Sequence, residues 1–250
     1  MRIAYLNLFD SATAVTASSE DILYPVENLD SPRLAKEYRT EDASAQTIVV
    51  DLGAAQDVDT IAIISHNISA SADTVIEANA SDAWGSPSFT TSLTWQSGMI
   101  LKYLSSAESY RYWRFSIDDG TNADGYVSIG KLWLGERIQI TPTSLLNFSV
   151  RKVRDDVVVY GRGRQKYANA GEGWRRFDLR FPRTRTTTLS AIQTMYDTVG
   201  NHTSVIFSNF DTIRDYEIVE PCYCSIVGDL DFSHRRGMQF EYTLRFEEDL

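Results

Sequence analysis

An all-β protein with one helix is what these 250 residues predict, and three observations carry that expectation. Short β-branched and aromatic runs recur between clusters of Gly, Asn, Asp and Ser, which is the rhythm of strands and turns. Several runs alternate apolar with polar residues, as strands buried on one face do. Only the stretch from Thr188 to Val199 repeats its apolar residues at helical spacing. The 43% hydrophobic content is that of a globular chain and excludes a disordered tail. Runs such as Ile61-Ala62-Ile63-Ile64 fall far short of the ~20 apolar residues of a spanning helix, so no membrane span is expected. The first ten residues, Met1 to Asp10, lack the apolar core and cleavage site of a signal peptide.

Taken in order, the first strands are Ile48 to Leu52, Val58 to Ile64, Thr74 to Ala78, Tyr112 to Ile117 and Ile129 to Leu134, the set of a β-sandwich. In Trp113-Arg114-Phe115-Ser116-Ile117 the odd positions face a core and the even ones solvent. Lys131-Leu132-Trp133-Leu134 ends at Gly135, and the charge balance changes there. The domains are therefore divided as 1–138 and 139–250. In the second, Arg175 to Phe181 alternates strictly and Pro182 is expected to stop it. Leu189, Ile192, Met195, Tyr196 and Val199 then lie on one helical face, with Thr186 to Thr188 available as N-cap and Gly200 as the stop. Strands follow around Ser204 to Phe207 and Tyr216 to Val219. A last amphipathic strand turns Met238, Phe240, Tyr242, Leu244 and Phe246 one way. Tyr160 to Gly173, rich in Gly and basic residues without apolar period, reads as a long mobile loop, either of a length that invites a binding or assembly role or a plain flexible hairpin tip.

Charge is unevenly placed. Residues 1–140 hold 9 Lys+Arg against 19 Asp+Glu, a balance of −10 that equals the net charge of the whole chain. Residues 151–185 hold 11 basic and 4 acidic (+7), and residues 186–250 hold 4 basic and 11 acidic (−7). A basic stretch can meet phosphate, yet an equal acidic stretch would repel it and no nucleic-acid motif accompanies it. No nucleic-acid sequence readout is expected; a solvated face or a charge-complementary subunit contact is.

Catalytic signatures are missing: there is no Gly-x-Ser-x-Gly elbow, Walker A loop or His-Glu-x-x-His, and the chain is read as a non-enzyme. Cys222 and Cys224, at i and i+2 of one strand, are too far apart for an unstrained disulfide and read as small buried hydrophobes. With His234 they would still lack a fourth zinc ligand, so no metal site and no cofactor is assigned. Oxygen ligands cluster at Asn28 to Asp30, where calcium binding is admitted. Asp118-Asp119 and Glu247-Glu248 read as solvated acids, because neighbours on one strand cannot flank a glycosidic bond.

Three stretches carry a family resemblance. Ser18-Ser19 to Tyr24-Pro25-Val26-Glu27-Asn28-Leu29-Asp30 leads to Tyr38-Arg39; Ile48-Val49-Val50-Asp51-Leu52-Gly53 is followed by Val58-Asp59-Thr60-Ile61; Tyr110-Arg111-Tyr112-Trp113-Arg114-Phe115 comes before Ile129 to Leu134. In this order, residues 18–135 resemble the galactose-binding-like (discoidin-type) jelly roll, though without that family's usual terminal cysteine pair. The resemblance implies carbohydrate binding by aromatic stacking and short polar side chains in the loops, with Asp30, Arg33, Tyr38, His66, Asn67, Trp84 and Trp95 as candidates. Residues 150–249, with an Arg-rich strand (Trp174 to Phe181), a helix ending near Gly200, an aromatic strand (Val205 to Phe210) and a terminal alternating strand, resemble the tail-tube-like domain of phage distal-tail and minor tail proteins. That implies a homo-oligomeric ring, commonly a hexamer, with Arg162, Arg164, Lys166 and Tyr167 in a loop that clasps the neighbouring subunit. It implies a structural virion protein of a tail tip or baseplate, made in the bacterial host cytoplasm, with tail tube, hub and tape measure as neighbours and a host-surface glycan as ligand. The alternative is a carbohydrate-binding module protein without a virion role.

Overall fold

The computed structural model describes residues 1–140, 148–208, 221–234 and 239–249, apart from the side chains of 148, 182–187 and 239. Its first nine strands are β1 (Arg2–Ala4), β2 (Ala14–Ala17), β3 (Tyr38–Arg39), β4 (Gln46–His66), β5 (Asp73–Asn79), β6 (Phe89–Ser92), β7 (Met99–Asp118), β8 (Ser128–Gly135) and β9 (Arg137–Gln139). Then come β10 (Phe148–Arg154), β11 (Val157–Tyr160), β12 (Lys166–Asn169), β13 (Gly173–Arg185), the helix α1 (Thr186–Val199), β14 (Val205–Ser208), β15 (Cys222–Ile226), β16 (Phe232–His234) and β17 (Gln239–Glu248). The chain is all-β with this helix. It separates into two compact units, Ala4–Arg137 and Met1–Ile3 with Ile138–Leu250.

In the first unit, β4 and β7 run antiparallel along almost their whole lengths, and the register breaks between Asp51 and Gln56. The first part of β4 pairs with β2 and with Tyr112 to Ile117 of β7, which in turn carries β5 and β6. Its second part pairs with Met99 to Tyr103 of β7 and with β8, which carries β3. Two layers thus share two continuous strands. Their inward residues, Ile48 and Val50 from one, Ile61, Ile63 and Leu132 from the other, form a single core around the fully buried Trp113. The expectation of separate strands at Ile48 to Leu52 and Val58 to Ile64 is corrected here. Gly53 takes a left-handed backbone (φ 78°), Asp51 Oδ1 accepts from its N–H at 2.8 Å, and the strand turns a corner without ending.

The second unit centres on β13 and β17, whose register places Phe177, Leu179 and Phe181 opposite Phe246, Leu244 and Tyr242. Phe207 stacks on Phe246 at 4.8 Å and meets Phe177 edge-on at 5.3 Å. Leu189, Ile192, Met195 and Val199 of α1 are buried, and Gly200 (φ 53°) ends the helix. Pro182 does not stop β13; the strand continues to Arg185 through an irregularity between Phe181 and Thr184, which takes up the missing N–H. The expected long loop at Tyr160 to Gly173 instead contains the hairpin β11–β12, a two-stranded sheet of its own. β1 lies between β14 and β9 in the sheet of this unit, a membership the chain order does not suggest. Cys222 and Cys224 are free and buried on β15. The expected strand at Tyr216 to Val219 lies outside the described residues, as does Met238. Among the described residues, no helix is long and apolar enough to cross a membrane.

Trp113 is packed by Phe89 and Tyr110 at 6.0 and 6.4 Å, so Trp113→Ala should cost about 4 kcal/mol in urea unfolding. At the strand corner Arg111 donates Nε to Oδ1 of Asp51 (2.7 Å) and Nη2 to Oδ2 (2.8 Å), holding that carboxyl down to about 2. A carboxyl depressed by folding stabilises above its unfolded pKa and ceases to do so as pH falls to the folded one. Urea midpoints should therefore fall between about pH 4 and pH 2, and Asp51→Asn should flatten that part of the profile.

Candidate functional site

β4 ends at His66, β7 ends at Asp118, and β5 begins at Asp73 opposite Asp118, so the segments 67–72, 94–98 and 119–127 meet at one end of the sandwich. Hydrogen bonds knit them. His66 Nε2 lies 3.1 Å from Gln96 O while Nδ1 accepts from Ile68 N–H, which fixes the Nε2–H tautomer; burial holds its pKa below the ordinary value. Asn67 donates to Asp124 Oδ2 (2.9 Å) and Tyr126 O (3.0 Å) and accepts from Ser128 N–H (2.8 Å). Asp119, expected in solvent, is buried instead. It accepts from Ser69 N–H and from Asn122 Nδ2, both at 2.8 Å, and from the Ser69 hydroxyl. These groups are fully engaged in shaping the loops.

What the loop end offers outward is different in kind. Trp95 donates its indole N–H to Ile68 O at 2.8 Å and leaves the residue 40% exposed. The hydroxyls of Ser71 and Thr121, 3.1 Å apart, are also exposed. Beyond Asn67, Arg39 lies between two aromatic rings, its guanidinium carbon 3.8 Å from the centroid of Tyr24 and 4.9 Å from that of Tyr126. Glu37 anchors it through Nε at 2.8 Å and raises its pKa. A fixed indole beside hydroxyls, with a stacked guanidinium on the same rim, is chemistry that suits a polyhydroxylated ligand.

Of the seven candidates, the structure brings together His66, Asn67 and Trp95. Tyr38 is fully buried and spends its hydroxyl on Ser19 O at 2.7 Å, with burial raising its pKa, so it is a core residue. Trp84 follows the far end of β5, since Asn79 pairs with Tyr112 and Asp73 with Asp118; it donates to Asp82 and lies 4.6 Å from the Arg114 guanidinium. Arg33 is exposed. Asp30 offers its carbonyl to Lys131 Nζ (3.3 Å), whose ammonium is 2.6 Å from Asp10 Oδ1. Asn28 gives its amide to Glu37 O at 2.8 Å. Among the described residues no three His, Cys, Asp or Glu side chains converge as metal ligands. Sequence reasoning missed Tyr24, Arg39 and Tyr126 as a stack; the adjacent Tyr38-Arg39 pair was the available signal.

In the second unit, the basic and acidic stretches meet within one sheet. Arg175 pairs with Glu248, Arg176 with Glu247 at 2.9 Å, Arg180 with Glu241, and Arg245 with Asp178 at 3.2 Å. This corrects the expectation that these stretches as wholes serve contacts between subunits, and that Glu247-Glu248 are merely solvated. Arg162, Arg164 and Lys166 of the hairpin form no ion pair among the described residues. Tyr167 is 57% exposed beside them.

No family model and no curated protein matches the chain. Among solved structures it is similar to chitosan-binding module 1 of a chitosanase/glucanase from Paenibacillus sp. IK-5, at 20% identity over 52% of this chain and 99% of that one, TM-score 0.43. It is similar to the family 32 carbohydrate-binding module of NanJ from Clostridium perfringens in complex with galactose, at 19% identity over 54% and 100%, TM-score 0.43. The lectin domain of lectinolysin complexed with Lewis B antigen matches at 10% identity over 52% and 95%, TM-score 0.42. At these identities and scores the likenesses carry no argument about what this chain binds.

Proposed function

We propose that the chain is a non-catalytic structural protein of a phage tail tip that binds a glycan through its first unit and assembles into a ring, six copies in number, through its second. The observation that carries the glycan reading is Trp95: its N–H is tied to Ile68 O, which anchors the ring at the loop end while the residue stays 40% exposed. An aromatic plane fixed in advance stacks on the apolar face of a pyranose without an ordering cost. Of the titratable groups of this end, His66, Asp119 and Asp124 are committed to loop hydrogen bonds, while Asp73 and Asp118 are exposed. Tail tube, hub and tape-measure proteins are the neighbours this reading assigns to the ring.

Assembly is supported by the hairpin β11–β12. An isolated two-stranded sheet is marginal in water, and this one leaves Val157, Val159, Tyr160 and Tyr167 more than half exposed. Such a surface needs a partner.

On a glycan array the full-length chain should select a pyranoside ligand. Trp95→Ala should then weaken its titrated affinity about tenfold or more, the scale of one stacked ring, while Trp84→Ala at the other end leaves it unchanged. Equal loss in both variants would reject the site. By light scattering the chain should have a discrete multiple of the monomer mass that falls in high salt, and reversing Arg162, Arg164 and Lys166 to Glu should weaken it while far-UV circular dichroism is unchanged. A monomer that binds glycan under all conditions would favour the reading as a binding-module protein with no ring.

A further inference from the structure

We propose that the hairpin β11–β12 of one copy docks into a cleft on the second unit of another copy, the cleft between α1 and the segment at Leu230 to Phe232. This rests on the assembly reading above and names the surface that receives the hairpin. The cleft, of about 480 Å³, is lined by Ser190, Gln193, Thr194, Tyr196, Asp197, Leu230 and Phe232. The helical period explains its character: Leu189, Ile192, Met195 and Val199 turn into the core, leaving Ser190, Gln193, Thr194 and Asp197 on the outer face of α1. Opposite them Phe232 is 48% exposed, a ring that the described residues of its unit leave half in solvent.

Three features match the hairpin to this cleft. The first is charge. Asp197, Asp229 and Asp231 are exposed in or beside the cleft and make no ion pair among the described residues, while the nearby Arg245 is held by Asp178. The cations Arg162, Arg164 and Lys166 are likewise unpaired. Among the described residues, once the strand ladder has matched Arg175, Arg176, Arg180 and Arg245 to acids, these two sets remain without an ion pair, of opposite sign and on different parts of the unit, together with Asp155 and Glu172 beside the hairpin. The second is apolar surface: Val159 and Tyr167, paired on one face of the hairpin, meet Leu230, Phe232 and Tyr196 in the cleft, so exposed area on both sides leaves water together. The third is shape. A tight turn, closed by Gly161 N–H to Gln165 O at 2.9 Å with Arg164 in the left-handed region (φ 57°), makes the hairpin a narrow projecting arm. Because arm and cleft are different surfaces, the contact is heterologous and propagates from copy to copy, which is what closing a ring requires.

The test is a charge exchange in the full-length chain. The hairpin variant Arg162→Glu/Arg164→Glu/Lys166→Glu and the cleft variant Asp197→Lys/Asp229→Lys/Asp231→Lys should each raise the concentration for half-assembly at least tenfold. The chain carrying both sets should regain assembly, as should an equimolar mixture of the two variants. If the hairpin variant dissociates the oligomer but the cleft variant assembles like wild type, the hairpin docks elsewhere; the cleft proposal is overturned and the assembly reading stands. If wild type is monomeric from low to high salt, both fall. Should the lysine variant not fold, oxidative cross-linking of a Tyr167→Cys chain to a Gln193→Cys chain decides: a heterodimer absent from wild type, whose cysteines are buried, supports the docking, and its absence in an intact oligomer overturns it.

Discussion

Everything in the first unit depends on one pairing, that of β4 with β7. Because both strands continue through the corner at Gly53, each belongs to two layers, and the layers cannot separate without breaking a ladder that extends from Gln46 to Ile64. Core packing then follows from strand alternation, since residues pointing inward from either layer necessarily point at each other. The loop end follows as well. His66 closes β4 at one end of this ladder and Asp118 closes β7 at the other, and it is the corner that lets the segment after His66 reach β5, whose Asp73 pairs with Asp118, so that the loops of the candidate site meet.

The second unit is organised by a different constraint, the matching of charge across strands. Antiparallel register sets Arg176 beside Glu247 and Asp178 beside Arg245, so ion pairs cover the outer face while phenylalanines fill the inner one. Half-exposed pairs of this kind are worth little each. Their use is in specifying register, because a slip of one residue would set Asp178 opposite Leu244 or Phe246 and turn Phe177 and Leu179 to solvent, and a slip of two would set Arg176 or Arg180 opposite Arg245. Three of the cations in excess over 151–185, Arg175, Arg176 and Arg180, are thus matched within the sheet, and Arg162, Arg164 and Lys166 lie on the hairpin.

Much of this was legible in the sequence. The alternation in Trp113 to Ile117 and Phe240 to Phe246, and the helical period ended by Gly200, correspond to strands and helix as they stand. Other features were illegible for physical reasons. A left-handed glycine reads as a strand terminator, yet Gly53 bends a strand because Asp51 satisfies its N–H. Pro182 is absorbed by a register irregularity that has no one-dimensional signature. Asp119 looked like a solvated acid because burial of a carboxylate depends on donors from Ser69 and Asn122, which come from different loops. In the candidate site His66, Asn67 and Trp95 were found by their place near strand ends, while the Tyr24–Arg39–Tyr126 stack joins three separate segments that only folding assembles.

The placement of β1 bears on how the molecule comes into being. Arg2–Ala4 lies between β14 and β9, yet β14 begins only at Val205. During synthesis this strand precedes its partner β9 by about 130 residues and its partner β14 by some two hundred. The intervening Ala4–Arg137 can complete its own ladders meanwhile, so a finished sandwich is inserted within a sheet that is still open. Closing that sheet joins distant parts of the chain, the slow kind of folding step. Until it happens Val205–Ser208, buried along its whole length in the finished fold, is an uncovered edge at which chaperones or other nascent chains compete.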